Sequence, residues 1–308
     1  NPVIFKRYTS VWKAQEQLDM LHPFYHALEN KLSVKLDYRQ SIYRRFFSVE
    51  EQNSWFEAAD KPNLQPFLST TLIKDSIEGI VSDYGFGQVK QGGWIHTNLL
   101  QKRYLDHLKT LGKLKEERFD YAALDIQDGM VVYKGLQAKY IVFCEGFGLN
   151  SNPFFNYLPL VGTKGEVLEI EVPGLKIDMI IKASVFLLPL GEEKYKVGAT
   201  YKWKDKTNVP TAASRIELEE KLRTFLKRPY KVLNHLAGVR PTVTDRHPLL
   251  GKHPKHDRLF VLNGLGSRGV MLAPYLSKLL FEYITKETPL DREINIERFL
   301  KKFKPRPF

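Results

Sequence analysis

A glycine-rich turn lies near the C-terminus, directly before an apolar stretch with helical spacing. The turn reads Gly264-Leu265-Gly266-Ser267-Arg268-Gly269, and Pro274 follows where the first turns of the helix are expected. Glycine removes the side chain where a backbone must bend or approach a ligand closely. A helix that begins there presents unpaired N–H groups and the positive end of its dipole, which suits an anionic or carbonyl-bearing ligand. The spacing alone is equally typical of a structural turn between a strand and a helix.

Arg240 ends an apolar strand upstream of this turn, in the run Gly238-Val239-Arg240-Pro241. Its guanidinium offers a planar fork that matches a carboxylate. Taken alone, Arg240 is better explained by a structural ion pair with Asp245 or another acid. His247 lies in the following turn and receives no catalytic role. Because the sequence contains no convincing Ser/His/Asp, Cys/His or metal-ligating constellation, we assign no catalytic side chain.

The elements that position these residues follow from hydrophobic periodicity. Strands are predicted near 236–240 and 259–263, and the last long helix follows the glycine-rich turn. The apolar run 138–146 predicts a strand covered on both faces, at the centre of a sheet. A capping box at 214–217 predicts the start of another helix.

The remaining segments combine a long helix with antiparallel strands. The helix covers 12–30, where Pro23 should kink or divide it. We predict a hairpin between 77–82 and the strand around Gln88, and at least three antiparallel strands between 166 and 203. Parallel-type α/β segments therefore alternate with antiparallel β segments, which indicates two domains that the chain enters more than once.

Bulk composition excludes several classes of protein. The 308 residues are 43% hydrophobic, which is sufficient for a buried core, and no apolar run approaches the roughly 20 residues of a membrane-spanning helix. A single cysteine, Cys144, excludes an internal disulfide framework, so we place the chain in the reducing cytoplasm. The net charge of +12 is spread along the chain, and its densest cluster, 301–306, is expected to be a solvated terminus. Nucleic-acid binding is therefore disfavoured but not excluded.

Six motifs in sequence order resemble the FAD-dependent oxidoreductases of the D-amino-acid oxidase and glycine oxidase superfamily. Two of them are the glycine-rich turn and the run from Gly238 to Pro241, with Asp245, Pro248 and Gly251 beyond it. The others are Asn1-Pro2-Val3 with Lys6-Arg7, Phe143-Cys144-Glu145-Gly146, Thr163-Lys164-Gly165-Glu166, and Phe186-Leu187-Leu188-Pro189 followed by Val197-Gly198-Ala199-Thr200. The similarity covers most of the chain.

The resemblance implies an α/β (α+β) architecture. A discontinuous Rossmann-like FAD-binding domain (1–32, 94–160 and 233–308) is interleaved with an antiparallel-sheet substrate domain (33–93 and 161–232). That superfamily binds the ADP part of FAD with an N-terminal Gly-x-Gly-x-x-Gly βαβ unit. No such unit precedes Asn1, so we expect about 40 residues of the natural chain to lie upstream of this sequence. Without them, FAD affinity should be badly reduced.

The resemblance also implies a reaction. A C–N bond of an amino acid or related amine is oxidised by hydride transfer to flavin N5, and the resulting imine hydrolyses. Arg240 binds the substrate carboxylate, and Tyr201 lines the substrate side together with Trp203, although both aromatics are equally well explained as packing residues. The residues expected to contact FAD are Gly146, Gly264, Gly266, Ser267, Arg268, Gly269 and Val270, with the turn directed at flavin N1 and O2.

Two other functions stay open. The glycine-rich turn also resembles the flavin domain of the bacterial tRNA wobble-uridine modification enzyme, and the chain is basic. The second alternative is a non-catalytic binding or assembly subunit that retains the fold without the redox function. Salt dependence of tRNA binding separates the first alternative from a small-molecule oxidase.

Overall fold

The computed structural model describes residues 1–303, which form a mixed α/β structure. The α-helices are α1 (Ala14–Leu32), α2 (Val49–Ala59), α3 (Thr97–Thr110), α4 (Ala212–Arg223) and α5 (Gly269–Lys286). Short 3-10 helices cover Tyr121–Ala123, Gly146–Ser151 and Ile296–Lys302. Within the described residues, no helix combines the length and apolar composition needed to cross a bilayer.

The chain divides into two compact units, each assembled from separate segments. The first unit comprises Asn1–Gln101, Lys164–Lys202 and Thr207–Gly238. The second comprises Lys102–Thr163, Trp203–Lys206 and the chain from Val239 onward. By contacts, residues 1–32 group with 33–93, whereas the sequence assigned them to the FAD-binding domain. The assignment of segments to domains by function stays a prediction.

The first unit is built on a seven-stranded sheet. Its order is β15 (Lys231–Arg240), β11 (Thr163–Glu171), β14 (Lys194–Gly198), β13 (Phe186–Gly191), β12 (Ile180–Lys182), β4 (Ile42–Arg45) and β5 (Phe86–Val89). Strand β4 runs parallel to β12 and antiparallel to β5, while β11, β13 and β14 form antiparallel ladders. Leu168 and Ile170 of β11 share a buried core with Leu218 and Leu222 of α4. The predicted antiparallel strands between 166 and 203 are thus confirmed.

Two small ladders complete the strands of the first unit. They are β1 (Val3–Ile4) with β2 (Thr9–Ser10), and β3 (Asp37–Arg39) with β6 (Gly93–Ile95). Helix α1 continues through Pro23 and is not divided there. A proline removes one hydrogen bond to the carbonyl four residues earlier, and both Pro23 and Asp19 are exposed, so water can satisfy that carbonyl.

The second unit contains two three-stranded sheets. One has the order β10 (Ile141–Phe143), β17 (Leu259–Asn263) and β16 (Leu249–Lys252); the other consists of β7 (Leu124–Gln127), β8 (Met130–Tyr133) and β9 (Leu136–Ala138). Strands β10 and β17 are parallel, with Phe143 opposite Val261. Both residues belong to the core of this unit, which also includes Leu249 and Phe299.

Three predictions about these elements were wrong. Within the run 138–146 only β10 (Ile141–Phe143) is a strand of this sheet; it lies at the edge in the described chain, and Val142 is 39% exposed, so its face of the sheet is not covered. Residues 77–82 form no hairpin with β5; instead, Ile80 packs into the core and bridges Leu226. Helix α4 begins before the predicted capping box, because Thr211 caps it by accepting a hydrogen bond from the Ser214 N–H.

Candidate functional site

The candidate site lies where the two parallel strands of the second unit end. After β10 the chain enters the Gly146 turn, and after β17 it enters the turn from Gly264 to Gly269. Because the carboxyl ends of parallel strands meet at one edge of a sheet, both turns lie at that edge. The glycine-rich turn leads directly into α5, as the sequence predicts. We call this region, Gly146 together with 264–270, the glycine edge.

Two glycines of this edge leave space where a side chain would stand. Gly146 has φ of +56° and Gly266 has φ of +57°, a conformation that L side chains rarely adopt. A Cβ atom built on either residue meets no heavy atom within 4 Å. The left-handed backbone conformation accounts for glycine at both positions, and the open space beside them leaves room for a ligand to lie against the backbone.

Gly264 differs from these two glycines. Its φ is +74°, and a Cβ atom would stand 2.5 Å from the Val243 side chain and 3.2 Å from the Leu249 backbone nitrogen. Close packing against the segment after β15 thus explains Gly264 without any ligand. Its predicted contact with the cofactor stays a prediction with this second explanation beside it.

The beginning of α5 supplies the polar groups of the edge. Arg268 is the N-cap residue, and its side chain makes no hydrogen bond to the first turn among the described residues. Helix α5 begins with Gly269 and Val270, whose backbone N–H groups belong to its first turn. The positive end of the helix dipole lies at this turn, and the predicted contacts of Ser267, Gly269 and Val270 with the cofactor stay a prediction.

Arg240 is joined to the glycine edge through the backbone. It is the last residue of β15, and the carbonyl of the next residue, Pro241, accepts a hydrogen bond from the Gly266 N–H at 3.0 Å. Its proposed structural partner, Asp245, receives the Arg298 Nε–H at 2.8 Å. Burial raises the pKa of Asp245, but the bonds from Arg298 and the His247 N–H outweigh it and hold the pKa below its usual value.

Tyr201 belongs to the first unit, unlike the other predicted site residues. It follows β14 and Thr200 and is 58% exposed, so core packing does not account for it. Trp203 is grouped with the second unit and is 46% exposed. The Arg246 guanidinium lies 5.0 Å from the centre of its ring, which is a cation–π contact.

A polar network adjoins Gly146 that sequence reasoning missed. Tyr121 donates a hydrogen bond to Glu145, and Asn152 Nδ2 donates to the other oxygen of the same carboxylate at 2.8 Å. Burial and then the bond to Glu145 raise the pKa of the Tyr121 hydroxyl. Asn263 was missed as well; it is 2% exposed and contacts both turns. The one signal for Asn263 in the sequence is a polar residue ending an apolar strand just before a glycine.

Comparison with known families decides what kind of protein carries this edge. The family described as DAO, FAD dependent oxidoreductase, matches residues 9–283. The chain belongs to the DAO family of FAD-dependent oxidoreductases. The resemblance seen in the sequence is confirmed, and with it FAD as the cofactor of the family.

Curated relatives of this DAO-family chain include an oxidase and a tRNA-modification protein. Glycine oxidase of Bacillus subtilis (strain 168) is 28% identical over 258 residues, which cover 79% of this chain and 64% of that protein. The tRNA 5-methylaminomethyl-2-thiouridine biosynthesis bifunctional protein MnmC of Thiobacillus denitrificans is 28% identical over 222 residues, covering 66% of this chain and 35% of that protein. The chain thus spans less than two thirds of the length of both relatives.

Solved structures confirm the predicted fold class. Glycine oxidase from Geobacillus kaustophilus superposes with a TM-score of 0.75 at 16% identity, covering 93% of this chain and 81% of that one. Iminodiacetate oxidase from Chelativorans sp. BNC1 superposes with a TM-score of 0.72 at 18% identity, covering 95% and 87% of the two chains. At these identities the superpositions establish the fold of the DAO-family chain.

The glycine edge fits the flavin part of FAD. The open space at Gly146 and Gly266 admits a flat ring close to the backbone, and the start of α5 offers N–H donors to a carbonyl or to negative charge. Within the described residues no cluster of His, Cys, Asp or Glu has the geometry to hold a metal ion.

Proposed function

We propose that the whole protein oxidises the C–N bond of an amino acid or related carboxylate-bearing amine. One observation carries the proposal: the 3.0 Å hydrogen bond from Gly266 to Pro241 joins the flavin-facing turn to the strand end that bears Arg240. A cofactor at the glycine edge and a carboxylate on Arg240 therefore keep a fixed relation. The similarity to glycine oxidase of Bacillus subtilis supports this substrate class.

Each group of the site has a role in this proposal. FAD, when bound, accepts the hydride of the substrate. Ser267, Gly269 and Val270 direct backbone N–H groups, with the dipole of α5, toward the negative charge that accompanies reduction. Arg240 binds and orients the substrate carboxylate through a bidentate pair. Tyr201 lines the substrate side. A substrate amine that arrives neutral needs no side-chain base.

A second candidate is oxidation within tRNA modification. It is supported by the MnmC protein of Acinetobacter baylyi, which is 41% identical over 73 residues, covering 22% of this chain. If tRNA is the substrate, its affinity should fall linearly on a log–log plot against salt concentration, because bound phosphates release counterions. An affinity for tRNA that salt leaves unchanged removes this candidate. We favour the small-molecule substrate, because the +12 charge is not concentrated in one stripe of the sequence.

We also propose a cytoplasmic location and a small-molecule amine or amino acid as the partner. The argument for the location is the single cysteine, Cys144, in 308 residues. A fluorescent fusion of the full-length protein that localises outside the cytoplasm contradicts it.

Replacing Arg240 tests the proposed substrate class. In the full-length protein, Arg240→Leu should lower kcat/KM for a carboxylate-bearing amine by about 10- to 150-fold, the equivalent of about 1.5–3 kcal/mol for a hydrogen bond to a charged group. The flavin absorption spectrum should stay unchanged. Arg258→Leu is the matched control, because Arg258 lies over the Tyr140 ring of the same unit. Equal kinetics in both variants remove Arg240 from the site.

A further inference from the structure

We propose that Asn263 is a positioning residue that clamps the two turns of the glycine edge together. Its Nδ2 donates a hydrogen bond to the Gly146 carbonyl at 2.9 Å, and its Oδ1 accepts one from the Gly264 N–H at 2.7 Å. One side chain thus joins two backbone segments that are 117 residues apart in the sequence. The inference rests on the proposed function in one respect: the edge must face the flavin.

The chemistry of the clamp requires an amide. Gly146 offers a carbonyl and Gly264 an N–H, so the side chain between them must donate at one end and accept at the other. Among side chains of this length, Asn does both, whereas an ionised Asp only accepts. Asn263 is 2% exposed and Gly264 is buried, so losing the Gly264 bond leaves a buried N–H unsatisfied, while losing the other bond releases the half-buried Gly146 carbonyl.

The neighbouring contacts connect the clamp to the rest of the candidate site. Gly264 is held against Val243 and Leu249, and Gly266 is bonded to Pro241 beside Arg240. Displacing Asn263 therefore disturbs the relation between the Gly146 turn and the start of α5, and with it the position of Arg240. The open space at Gly146 and Gly266 serves one flat ligand only while both turns keep this separation.

Asn263→Asp is the sharpest test, because it changes the donor and hardly changes the shape. The Gly264 bond survives, but an oxygen then faces the Gly146 carbonyl. In the full-length protein we expect the FAD dissociation constant to rise at least about tenfold, since a lost buried hydrogen bond has effects of this order. The flavin midpoint potential should become more negative, because displaced N–H donors no longer stabilise the reduced form.

Two further variants distinguish the loss of the clamp from the effect of an added charge and from a general loss of stability. Asn150→Asp adds the same charge on an exposed residue of the adjoining 3-10 helix and should leave both flavin properties unchanged. Asn263→Ala removes both bonds without adding a buried charge, and it decides the question if the Asp variant does not fold. In flavin-free protein, hydrogen exchange should accelerate at 144–147 and 263–267 in the Asn263 variants, while β7 and β8 keep their protection.

The outcomes are distinguishable. Weaker FAD binding, a shifted potential and faster exchange confined to the two turns support the clamp. Unchanged exchange at both turns overturns it, whatever the flavin does. Faster exchange with FAD affinity within about twofold of wild type overturns its role in positioning the cofactor. If the unaltered full-length protein binds no FAD, the proposed function fails, and the exchange data alone judge the clamp.

Discussion

The two units differ in the polar residues that they bury. The buried polar residues of the first unit include four charged ones, Asp37, Arg45, Lys164 and Glu166. In the second unit they are Asn152, Thr163, Thr242, His253 and Asn263, none with a permanent charge. The unit with the glycine edge therefore buries no carboxylate of its own in its described part. Beside the glycine edge the carboxylate of Glu145 is only half-buried, and it is bonded by Tyr121 and Asn152.

Two of the buried charged residues of the first unit, Lys164 and Glu166, attach the loop 207–211 to strand β11. Lys164 Nζ lies 3.5 Å from Glu166 Oε1 and also donates to the Thr207 hydroxyl and the Val209 carbonyl. Glu166 accepts the Thr211 N–H at 2.8 Å and lies 2.9 Å from His235 Nε2. The same carboxylate therefore holds the residue that caps α4.

Breaking this cluster should have the largest effect on stability. Lys164→Met leaves Glu166 buried without its lysine, and we expect the free energy of unfolding to fall by about 3–5 kcal/mol. Lys164→Met combined with Glu166→Gln should recover part of that loss. Lys194→Met, at an exposed pair with Glu192, should change nothing measurable. Urea unfolding of the four proteins measures this, and a double variant no better than the single one contradicts the comparison.

Two glycines should separate packing from ligand contact within the second unit. Gly264→Ala places a Cβ against Val243 and should lower the free energy of unfolding by about 2–4 kcal/mol, from left-handed strain and overpacking. Gly266→Ala meets open space, so strain alone should lower it by about 1–2 kcal/mol. The Gly266 variant should nevertheless bind FAD at least about tenfold more weakly, because its Cβ occupies the open space where the flavin is proposed to lie. Unchanged FAD affinity in that variant argues against a flavin there.

The two units should also differ in the pH dependence of their stability. Burial and then the neighbouring His256 lower the pKa of His253 to about 4. Between that value and the unfolded pKa of about 6.5, the unfolded chain binds the extra proton, so stability falls as the pH drops through this range. The loss should be about 3 kcal/mol by pH 4. Segment-resolved hydrogen exchange from pH 7 to pH 4 measures it.

In the first unit, Glu166 contributes stability that is lost only at a lower pH. Burial raises its pKa, but the bonds from Thr211 and Ser214 and the charge of Lys164 outweigh that effect and hold the pKa below 4.5. Its contribution to stability is therefore complete above 4.5 and is lost only as the pH falls further. The second unit should lose protection first on acidification. His253→Asn, which keeps an acceptor for the Lys255 N–H, should abolish that early loss. An early loss that persists in this variant has another cause.

Local signals in the sequence were sufficient for much of this site. The glycine-rich turn before α5 and the strand that ends at Arg240 follow from glycine spacing and apolar periodicity. The edge position of β10 could not be predicted, because the hydrophobicity of a strand does not determine which strands pair with it. The clamp at Asn263 joins residues 117 positions apart, and no local pattern encodes such a pairing. The Lys164 and Glu166 pair left a readable signal, since residues two apart on a strand share one face.

Anaerobic reduction tests the central claim, that the glycine edge carries a flavin which oxidises a carboxylate-bearing amine. The full-length protein is purified, made anaerobic and mixed in turn with glycine, which appears in the name of one curated relative, and with iminodiacetate and L-proline, which appear in the names of two enzymes of the same fold. We predict a yellow protein whose visible flavin absorption bleaches with at least one of them, and a Gly266→Ala variant that is largely colourless. A colourless full-length protein that added FAD does not reconstitute, or a bound flavin that none of the three amines reduces, contradicts the account.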